Sequence, residues 1–64
     1  MKNKIKELRQ LQKFSQDDLA KICNVTRQTI NAIENNKYDP SLNLAFCIAV
    51  SLKTDINQVF IYSK

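Results

Sequence analysis

The stretch Ser15–Asn36, SQDDLAKICNVTRQTINAIENN, decides the fold of this chain because it predicts two short helices joined by a tight turn. Ser15 is a favourable N-cap, and Asp18 three residues later completes an S-x-x-D version of the capping box. The first of the two helices is therefore predicted to begin at Gln16 and to end near Cys23.

A second helix is predicted over residues 27–36, because Thr26 is a favourable N-cap in front of it. Asn24 lies between the two helices, where the chain has to turn. Asparagine tolerates the left-handed conformation better than other residues except glycine, and this chain contains no glycine. The two helices are thus expected to meet through a compact turn at Asn24.

The second helix has two chemically different faces. At about 100° per residue, Ile30 and Ile33 fall on one side, which is expected to be buried. The other side carries one arginine and three amides, namely Arg27, Gln28, Asn31 and Asn35. Arginine fits the O6 and N7 edge of guanine, and glutamine or asparagine fits the N6 and N7 edge of adenine, each through two hydrogen bonds. The amides alone are typical of a solvated face, but the whole helix–turn–helix pattern indicates a surface that reads DNA.

The same segment resembles the helix-turn-helix of the phage Cro/repressor family, also called the XRE group. Gln16 matches the first position of the family motif, and Ala20 matches the small position where the two helices touch. Asn24 stands where the family most often has glycine, which is a mild departure. The family's apolar positions are filled by Leu19, Cys23, Val25, Ile30 and Ile33. Residues 37–60 resemble the helix–helix ending of the same family.

The resemblance implies an all-α, five-helix lambda-repressor-like DNA-binding domain that occupies residues 1–64 as a single unit. The segment RQTINAIENNKY (27–38) is most similar to short dimeric repressors of the bacteriocin and cytolysin-operon type. In those relatives a C-terminal strand pairs with the N-terminus in an antiparallel sheet and across a dimer, so the same pairing is expected here. The candidate dimer contacts are Leu44, Val50, Phe60 and Tyr62, and the alternative is that the tail merely folds over the core.

The resemblance also implies which residues contact DNA. Those expected to reach bases are Arg27, Gln28 and Asn31. Those expected to hold the DNA backbone are Gln16, Thr26, Lys37, Tyr38 and Lys13, and Gln16 is also expected to brace the recognition helix. For Tyr38, a ring packed over the helix end is an equal alternative. Asp39 departs from the relatives, which tend to carry an amide there, and its carboxylate would repel phosphate.

Arg9 and Glu34 stand at positions where the family often has an ion pair between the first and third helices. The resemblance implies the same pair in this chain. Such a pair would orient the elements more than it would stabilise them, because desolvation of the charges offsets much of their attraction.

Further helices are predicted on both sides of the central stretch. Residues 4–13 carry apolar residues at helical spacing that are expected in the core, namely Ile5, Leu8 and Leu11. A fourth helix ending near Lys53 carries its expected core residues on one arc, namely Leu42, Ala45, Ile48, Ala49 and Leu52. Asp55 is expected to cap a final short helix, with Gln58 three residues on.

The two ends of the chain have different patterns. Met1–Lys4 is a basic lead-in for which a solvated end is favoured over a short strand. The tail VFIY at residues 59–62 is β-branched and aromatic, which favours a strand over a helix. A lone exposed strand of this kind is a liability unless it pairs.

Size and composition narrow the class of protein. A domain of 64 residues buries only about 60% of its unfolded surface, so a partner subunit is the expected remedy. With two cysteines, no histidine and no glycine, the chain is expected to lack a zinc site, a phosphate-binding glycine loop and the common nucleophile–base pairs. Neither a metal, nor a cofactor, nor an enzymatic activity is therefore predicted. The net charge of +4 suits a polyanion, although many ordinary domains are as basic.

The sequence predicts a sequence-specific transcriptional regulator, in its simplest form a homodimeric repressor that reads an inverted repeat of double-stranded DNA through the major groove. The chain shows no signal-peptide pattern and no apolar run near 18 residues, so a cytoplasmic location without membrane or small-molecule partners is expected. In that compartment the cysteines are expected to be free thiols.

The residues leave two other functions open. One is an antitoxin or adaptor that holds a protein partner through the fourth helix and the tail. The row of arginine and amides argues against it, because protein interfaces concentrate aromatic residues and methionine at their centre. The other is redox sensing through Cys47, which falls nearly opposite the core arc of the fourth helix.

Overall fold

The computed structural model describes residues 1–62, and within them it confirms five helices with a short sheet formed by the two ends. In chain order the elements are β1 (Lys2–Asn3), α1 (Ile5–Gln12), α2 (Gln16–Ile22), α3 (Arg27–Glu34), α4 (Leu42–Ser51), α5 (Ile56–Val59) and β2 (Phe60–Ile61). The recognition helix α3 is shorter than predicted, because Asn35 closes it and Asn36 leaves it with a φ of 61°.

The predicted capping box at the start of α2 is present. Asp18 N donates to Ser15 Oγ over 3.0 Å, and Ser15 N donates to Asp18 Oδ2 over 2.9 Å. The hydrogen bond from the Ser15 backbone holds the pKa of the exposed Asp18 carboxyl below its ordinary value. The two reciprocal bonds satisfy two backbone groups that the first turn of a helix leaves without partners.

Hydroxyl caps also begin α3 and α4. Thr29 N donates to Thr26 Oγ1 over 3.2 Å, and Leu44 N donates to Ser41 Oγ over the same distance. Asp55 is the N-cap residue of α5, as predicted, but the predicted side-chain cap is wrong. The Asp55 side chain makes no capping hydrogen bond, and its backbone carbonyl instead accepts from Gln58 N over 2.9 Å.

Four residues with positive φ end the four longer helices, and none of them is glycine. They are Lys13, Asn24, Asn36 and Lys53, with φ between 56° and 61°. The left-handed turn predicted at Asn24 is thus confirmed. A left-handed residue with a Cβ costs roughly 1–2 kcal/mol, so each of these turns is maintained by the packing of the helices on either side.

The core lies where all the helices converge. Its fully buried large side chains are Ile5, Leu19, Ile30, Ile33, Ile48, Leu52 and Val59. Ala20, Ala45, Ala49 and Phe60 complete the same cluster. Partly buried side chains, among them Leu8 and Leu44, pack against it.

Two residues predicted in the core are exposed instead. Leu11 leaves 77% and Leu42 leaves 69% of its surface accessible. Each lies six residues from a buried isoleucine, Ile5 or Ile48, and six residues at about 100° place a side chain about 120° round the helix. The apolar spacing was therefore correct as a helical pattern but was assigned too wide an arc.

The two ends of the described chain form one antiparallel pair, with Lys2 opposite Ile61 and Asn3 opposite Phe60. Lys4 N extends the pairing by donating to the carbonyl of Val59 over 2.8 Å. The favoured interpretation of residues 1–4 as a solvated end is wrong, and the pairing of the tail with the N-terminus is confirmed. The physical reason is that β2 needs a partner, and β1 supplies one within the same chain.

Replacing Lys53 with glycine is expected to raise the free energy of unfolding by about 0.5–1 kcal/mol, because glycine adopts the left-handed conformation without a steric cost. Urea denaturation measures the change. Lys53→Ala is the control, since alanine removes the charge and keeps the Cβ. An equal gain in both variants would assign the effect to the charge rather than to the backbone.

Candidate nucleic-acid interface

The recognition helix α3 presents two faces, as its sequence predicted. Ile30 and Ile33 are buried, and they pack α3 against α2 and the rest of the core. Arg27, Gln28 and Asn31 are all exposed on the opposite side. Arg27 and Gln28 are the first two residues of the helix, where the partial positive charge of the helix dipole favours a nearby phosphate.

One shallow depression on the surface is lined by Gln16, Arg27, Gln28 and Asn31. The structure therefore brings together the three residues expected to reach bases and the residue expected to brace them. Each of the four lining residues ends in a polar group, and together they supply one guanidinium and three amides. Such a set of groups can donate to and accept from base edges, because guanine offers two acceptors and adenine offers one of each kind in the major groove.

Gln16 connects α2 to the recognition helix through both ends of its amide. Its Nε2 donates to Glu34 Oε1 over 3.1 Å, and its Oε1 accepts from Asn31 Nδ2 over 3.5 Å. The predicted bracing of the recognition helix by Gln16 is therefore present in the structure. Because these contacts use one donor and one acceptor of the amide, a second N–H and a second lone pair remain for DNA.

The carboxylate of Glu34 is held by Arg9. Arg9 Nε lies 2.7 Å from Glu34 Oε2, and Arg9 Nη2 donates to Glu34 Oε1 over 3.2 Å, which makes a two-point ion pair. Arg9 Nη1 also donates to the carbonyl of Phe14 over 2.9 Å, just before α2. The ion pair implied by the family resemblance is present, and it is buried, since only 11% and 6% of the two side chains are accessible.

Asn31 is held from its other side by Asn35. Asn35 Nδ2 donates to the Asn31 carbonyl over 2.9 Å and to Asn31 Oδ1 over 3.2 Å. The Asn31 amide thus keeps one free N–H and one free acceptor site after its contacts to Gln16 and Asn35. A bidentate contact to the N6 and N7 edge of adenine needs that combination.

The remaining residues expected to contact the DNA backbone lie before or after the lining residues along the chain. Thr26 Oγ1 lies 3.0 Å from Thr29 Oγ1 and also accepts the capping hydrogen bond, so its hydroxyl is used locally. Lys13 and Lys37 are exposed and follow the ends of α1 and α3. Tyr38 leaves 52% of its surface accessible and lines a groove beside α4, so both interpretations of its role stay open.

Asp39 has a partner other than DNA. Its Oδ1 lies 3.0 Å from the amino group of Met1, in an exposed ion pair between the α3–α4 loop and the residue that precedes β1. This contact partly neutralises the carboxylate that departs from the family pattern. Because both groups are exposed, the pair is expected to add little to stability.

Asn3 is a positioning residue that the sequence reasoning missed. Its Oδ1 accepts from Ile5 N over 3.1 Å, and its Nδ2 donates to the Ile33 carbonyl over 2.9 Å and to Asn36 Oδ1 over 3.2 Å. Asn3 therefore joins the start of α1 to the end of the recognition helix. The first contact could have been anticipated, because an asparagine side chain readily bonds the backbone two residues on, whereas the second depends on the tertiary fold.

Residues 1–62 meet the requirements of neither of two other features, a metal-binding cluster and a membrane-spanning helix. No group of cysteine and carboxylate side chains in this part of the chain could hold a metal ion. The same residues contain no helix long and apolar enough to cross a membrane.

Comparison with known proteins gives consistent matches over nearly the whole chain. Residues 5–59 match the Helix-turn-helix family. An uncharacterized HTH-type transcriptional regulator of Methanocaldococcus jannaschii is 56% identical over 62 residues, which cover 97% of this chain and 94% of the relative. The uncharacterized HTH-type transcriptional regulator YgzD of Bacillus subtilis is 47% identical over 60 residues, or 94% and 91% of the two chains.

A solved structure shows the same architecture. The restriction-modification controller protein C.AhdI from Aeromonas hydrophila superposes with a TM-score of 0.80 and 25% sequence identity, covering 88% of this chain and 85% of that one. The match confirms the lambda-repressor-like arrangement of helices that the sequence predicted.

Truncating Glu34 to alanine is expected to cost about 3–5 kcal/mol of stability, because it leaves the buried Arg9 guanidinium without its counter-ion. Urea denaturation followed by far-UV circular dichroism measures the loss. The paired variant Arg9→Met with Glu34→Leu removes both charges, so it is expected to be far more stable than Glu34→Ala. Equal destabilisation of the two variants would show that shape, and not the unpaired charge, is responsible.

Proposed function

This chain belongs to the Helix-turn-helix family of XRE type, and from that premise we propose that it is a sequence-specific regulator that binds operator DNA as a homodimeric repressor. The single observation that carries the proposal is the depression in which Gln16, Arg27, Gln28 and Asn31 meet. The proposed target of the protein is double-stranded DNA with an inverted repeat, and the protein acts in the cytoplasm, where that DNA is found.

Base recognition is assigned to the N-terminal half of α3. Arg27 and Gln28 extend from its first turn, and Asn31 follows on the same face, as expected of a helix that enters the major groove with its N-terminus first. Within residues 1–62 neither Arg27 nor Gln28 makes a side-chain hydrogen bond, so their donors and acceptors are available to bases. Asn31 adds an amide that its neighbours hold in place.

Backbone contacts are assigned to Gln16, Thr26, Lys37, Tyr38 and Lys13. They carry no sequence information but fix the register of the protein on the duplex. The net charge of +4 supports this assignment, because a basic protein gains affinity for DNA by releasing condensed counter-ions.

A homodimer is supported by the apolar strip on α4, formed by Leu42, Phe46 and Val50. Between 49% and 74% of the surface of each of these residues is accessible. They are spaced four residues apart, so they share one side of α4, while its other side is in the core. A helix that is apolar on both sides is normally covered on both sides. We assign the second cover to the same strip of another copy, since a two-fold dimer brings identical surfaces together.

The described structure refines the candidate dimer contacts. Val50 and Tyr62 are exposed and remain candidates, whereas Leu44 packs against the core from its edge. Phe60 leaves only 9% of its surface accessible, so within the single chain it is a core residue. Its accessible edge lines an apolar groove that begins at Leu42, and this groove extends the apolar strip toward β2.

The same strip also supports the alternative function, an antitoxin or adaptor that holds a different protein. Exposed leucine, phenylalanine and valine on one helix side suit a protein partner of either kind. The two functions differ in what the α3 face does, because an adaptor has no use for the polar depression. DNA binding by a protein with an altered depression therefore separates them.

Gln28→Ala is expected to weaken binding to the operator by about 1–3 kcal/mol and to leave binding to random DNA unchanged, because it removes a base contact. Lys37→Ala is expected to weaken binding to operator and to random DNA equally, because it removes a phosphate contact. It is also expected to reduce the slope of log affinity against log salt concentration by about one. Fluorescence anisotropy at two salt concentrations measures the affinity of each variant for both DNAs. DNA from immediately upstream of the protein's own gene is the first operator candidate.

Lys53→Ala is the control for the lost charge, since Lys53 follows α4 and is not assigned to the DNA surface. If Gln28→Ala and Lys37→Ala reduce binding to both DNAs alike, the division between base and backbone contacts is wrong. If neither the native protein nor its variants prefer any DNA over random sequence, the adaptor function is favoured.

Val50→Lys is expected to shift the protein from dimer to monomer, because it places a charge within the apolar strip. Sedimentation velocity over a range of concentrations measures the shift. Leu11→Lys is the matched control, since Leu11 is a similarly exposed apolar residue on α1. Loss of the dimer in both variants, or in neither, would contradict the assignment of the strip as the interface.

A further inference from the structure

Two cysteine thiols that the DNA-reading depression does not use meet between α2 and α4. Cys23 closes the C-terminus of α2, and Cys47 lies within α4. Both line the groove beside Tyr38, where the two thiols are neighbours. The sequence placed Cys47 on the side of the helix opposite the core arc, whereas the structure has it half-buried against α2.

Ser51 links the Cys23 thiol to α4, the helix that carries Cys47. Its hydroxyl donates to the Cys47 carbonyl over 2.6 Å, one turn back along α4. The same oxygen lies 3.7 Å from Cys23 Sγ. The sulfur of Cys23 is thereby held against the helix that carries the second sulfur.

We propose that Cys23 and Cys47 form a dithiol redox site, which a hydroperoxide converts into an intramolecular disulfide that links α2 to α4. The site is separate from the DNA-reading depression and needs no additional ligand-binding domain. In a reducing compartment such a disulfide forms transiently and is reversed by cellular thiols, which is the usual behaviour of redox-sensing pairs.

The surroundings of the two sulfur atoms determine which of them reacts first. Burial, and after it the neighbouring Cys47 thiol, raises the pKa of the Cys23 thiol to about 11. Cys23 is therefore a neutral thiol at pH 7, and a neutral thiol is a poor nucleophile. The first attack on the hydroperoxide is assigned to Cys47, and Cys23 is the resolving thiol.

The chemistry balances with hydrogen peroxide as the only oxidant. The Cys47 sulfur attacks one peroxide oxygen, the O–O bond breaks, and the products are a sulfenic acid at Cys47 and one molecule of water. The Cys23 sulfur then attacks the Cys47 sulfur and gives up its proton as the S–O bond breaks. The hydroxyl group leaves as a second molecule of water, so two thiols and one peroxide give one disulfide and two waters.

Closure of the disulfide has a consequence for DNA binding, and this consequence rests on the proposed function. A disulfide holds its sulfur atoms about 2.0 Å apart, closer than any non-bonded contact between them, so the end of α2 must move toward α4. Cys23 precedes the left-handed Asn24 of the turn into α3, and α2 carries the Gln16 that holds Asn31. We expect the oxidised protein to bind its operator about fivefold more weakly or worse. A fivefold loss of affinity is what the loss of one weak base contact would cause.

The test treats the reduced full chain with hydrogen peroxide and then blocks any remaining thiols with N-ethylmaleimide. The intact mass is expected to fall by two hydrogens without addition of the label. Trypsin is expected to release peptides 22–27 and 38–53 joined through Cys23 and Cys47. Dithiothreitol reverses the link, and the oxidised form is expected to melt about 10 °C higher, because a disulfide restricts the unfolded chain.

The single variants test the order of the two steps. Cys23→Ser is expected to gain oxygen at Cys47 without an internal link, and Cys47→Ser is expected to remain unmodified at the same dose. Two labelled thiols in the native protein, or links between chains only, would overturn the site. Equal oxidation rates of the two variants would overturn the assigned order.

Fluorescence anisotropy measures the operator affinity of the reduced and of the oxidised protein. Together with the mass measurement, it tests the dithiol site and the regulatory function separately. If the reduced protein binds no DNA preferentially, the regulatory function fails, although the mass measurement still tests the dithiol site. If the oxidised protein binds as tightly as the reduced one, the effect of the disulfide on α3 is overturned.

Discussion

The position of the recognition helix depends on the buried ion pair between Arg9 and Glu34. Arg9 extends from α1, Glu34 ends α3, and the guanidinium also reaches the carbonyl of Phe14 just before α2. Three helices are thus fixed relative to one another by a single charged group. An apolar pair of similar volume would often give equal or greater stability, because desolvation offsets the attraction of a buried pair. The pair is directional, however, and a short helix that must present particular side chains benefits from a directional contact.

Some of the helix ends in this fold are determined by the local sequence, and others are determined by tertiary packing. The capping box at Ser15 and Asp18 and the left-handed Asn24 could be predicted, because both depend on residues within one turn of each other. Lys13 and Lys53 are left-handed too, although lysine has no intrinsic preference for that conformation. Their conformation is imposed by the helices that they connect, so no pattern within the turn itself identifies them.

The candidate site shows the same division. The exposure of Arg27, Gln28 and Asn31 followed from helical periodicity, and the bracing by Gln16 followed from the family resemblance. The tie from Asn3 to the end of α3 could not be predicted, because it depends on where the N-terminal strand pairs, and the favoured prediction gave that segment no structure. The exposure of Leu42 was missed for a related reason, since an apolar residue satisfies a helical pattern whether it faces the core or a second molecule.

The residues that we propose as base contacts differ in how closely they are connected to the core. Asn31 is hydrogen-bonded to Gln16 and Asn35, and Gln16 is bonded in turn to the buried Glu34, so its orientation depends on the fold. In the described part of the chain, Arg27 and Gln28 have no such side-chain partners. A change at Arg27 or Gln28 is therefore expected to cost little stability, because it removes no internal hydrogen bond. A change at Glu34 disturbs stability and recognition together, since the buried arginine and the brace of Asn31 both depend on the same carboxylate.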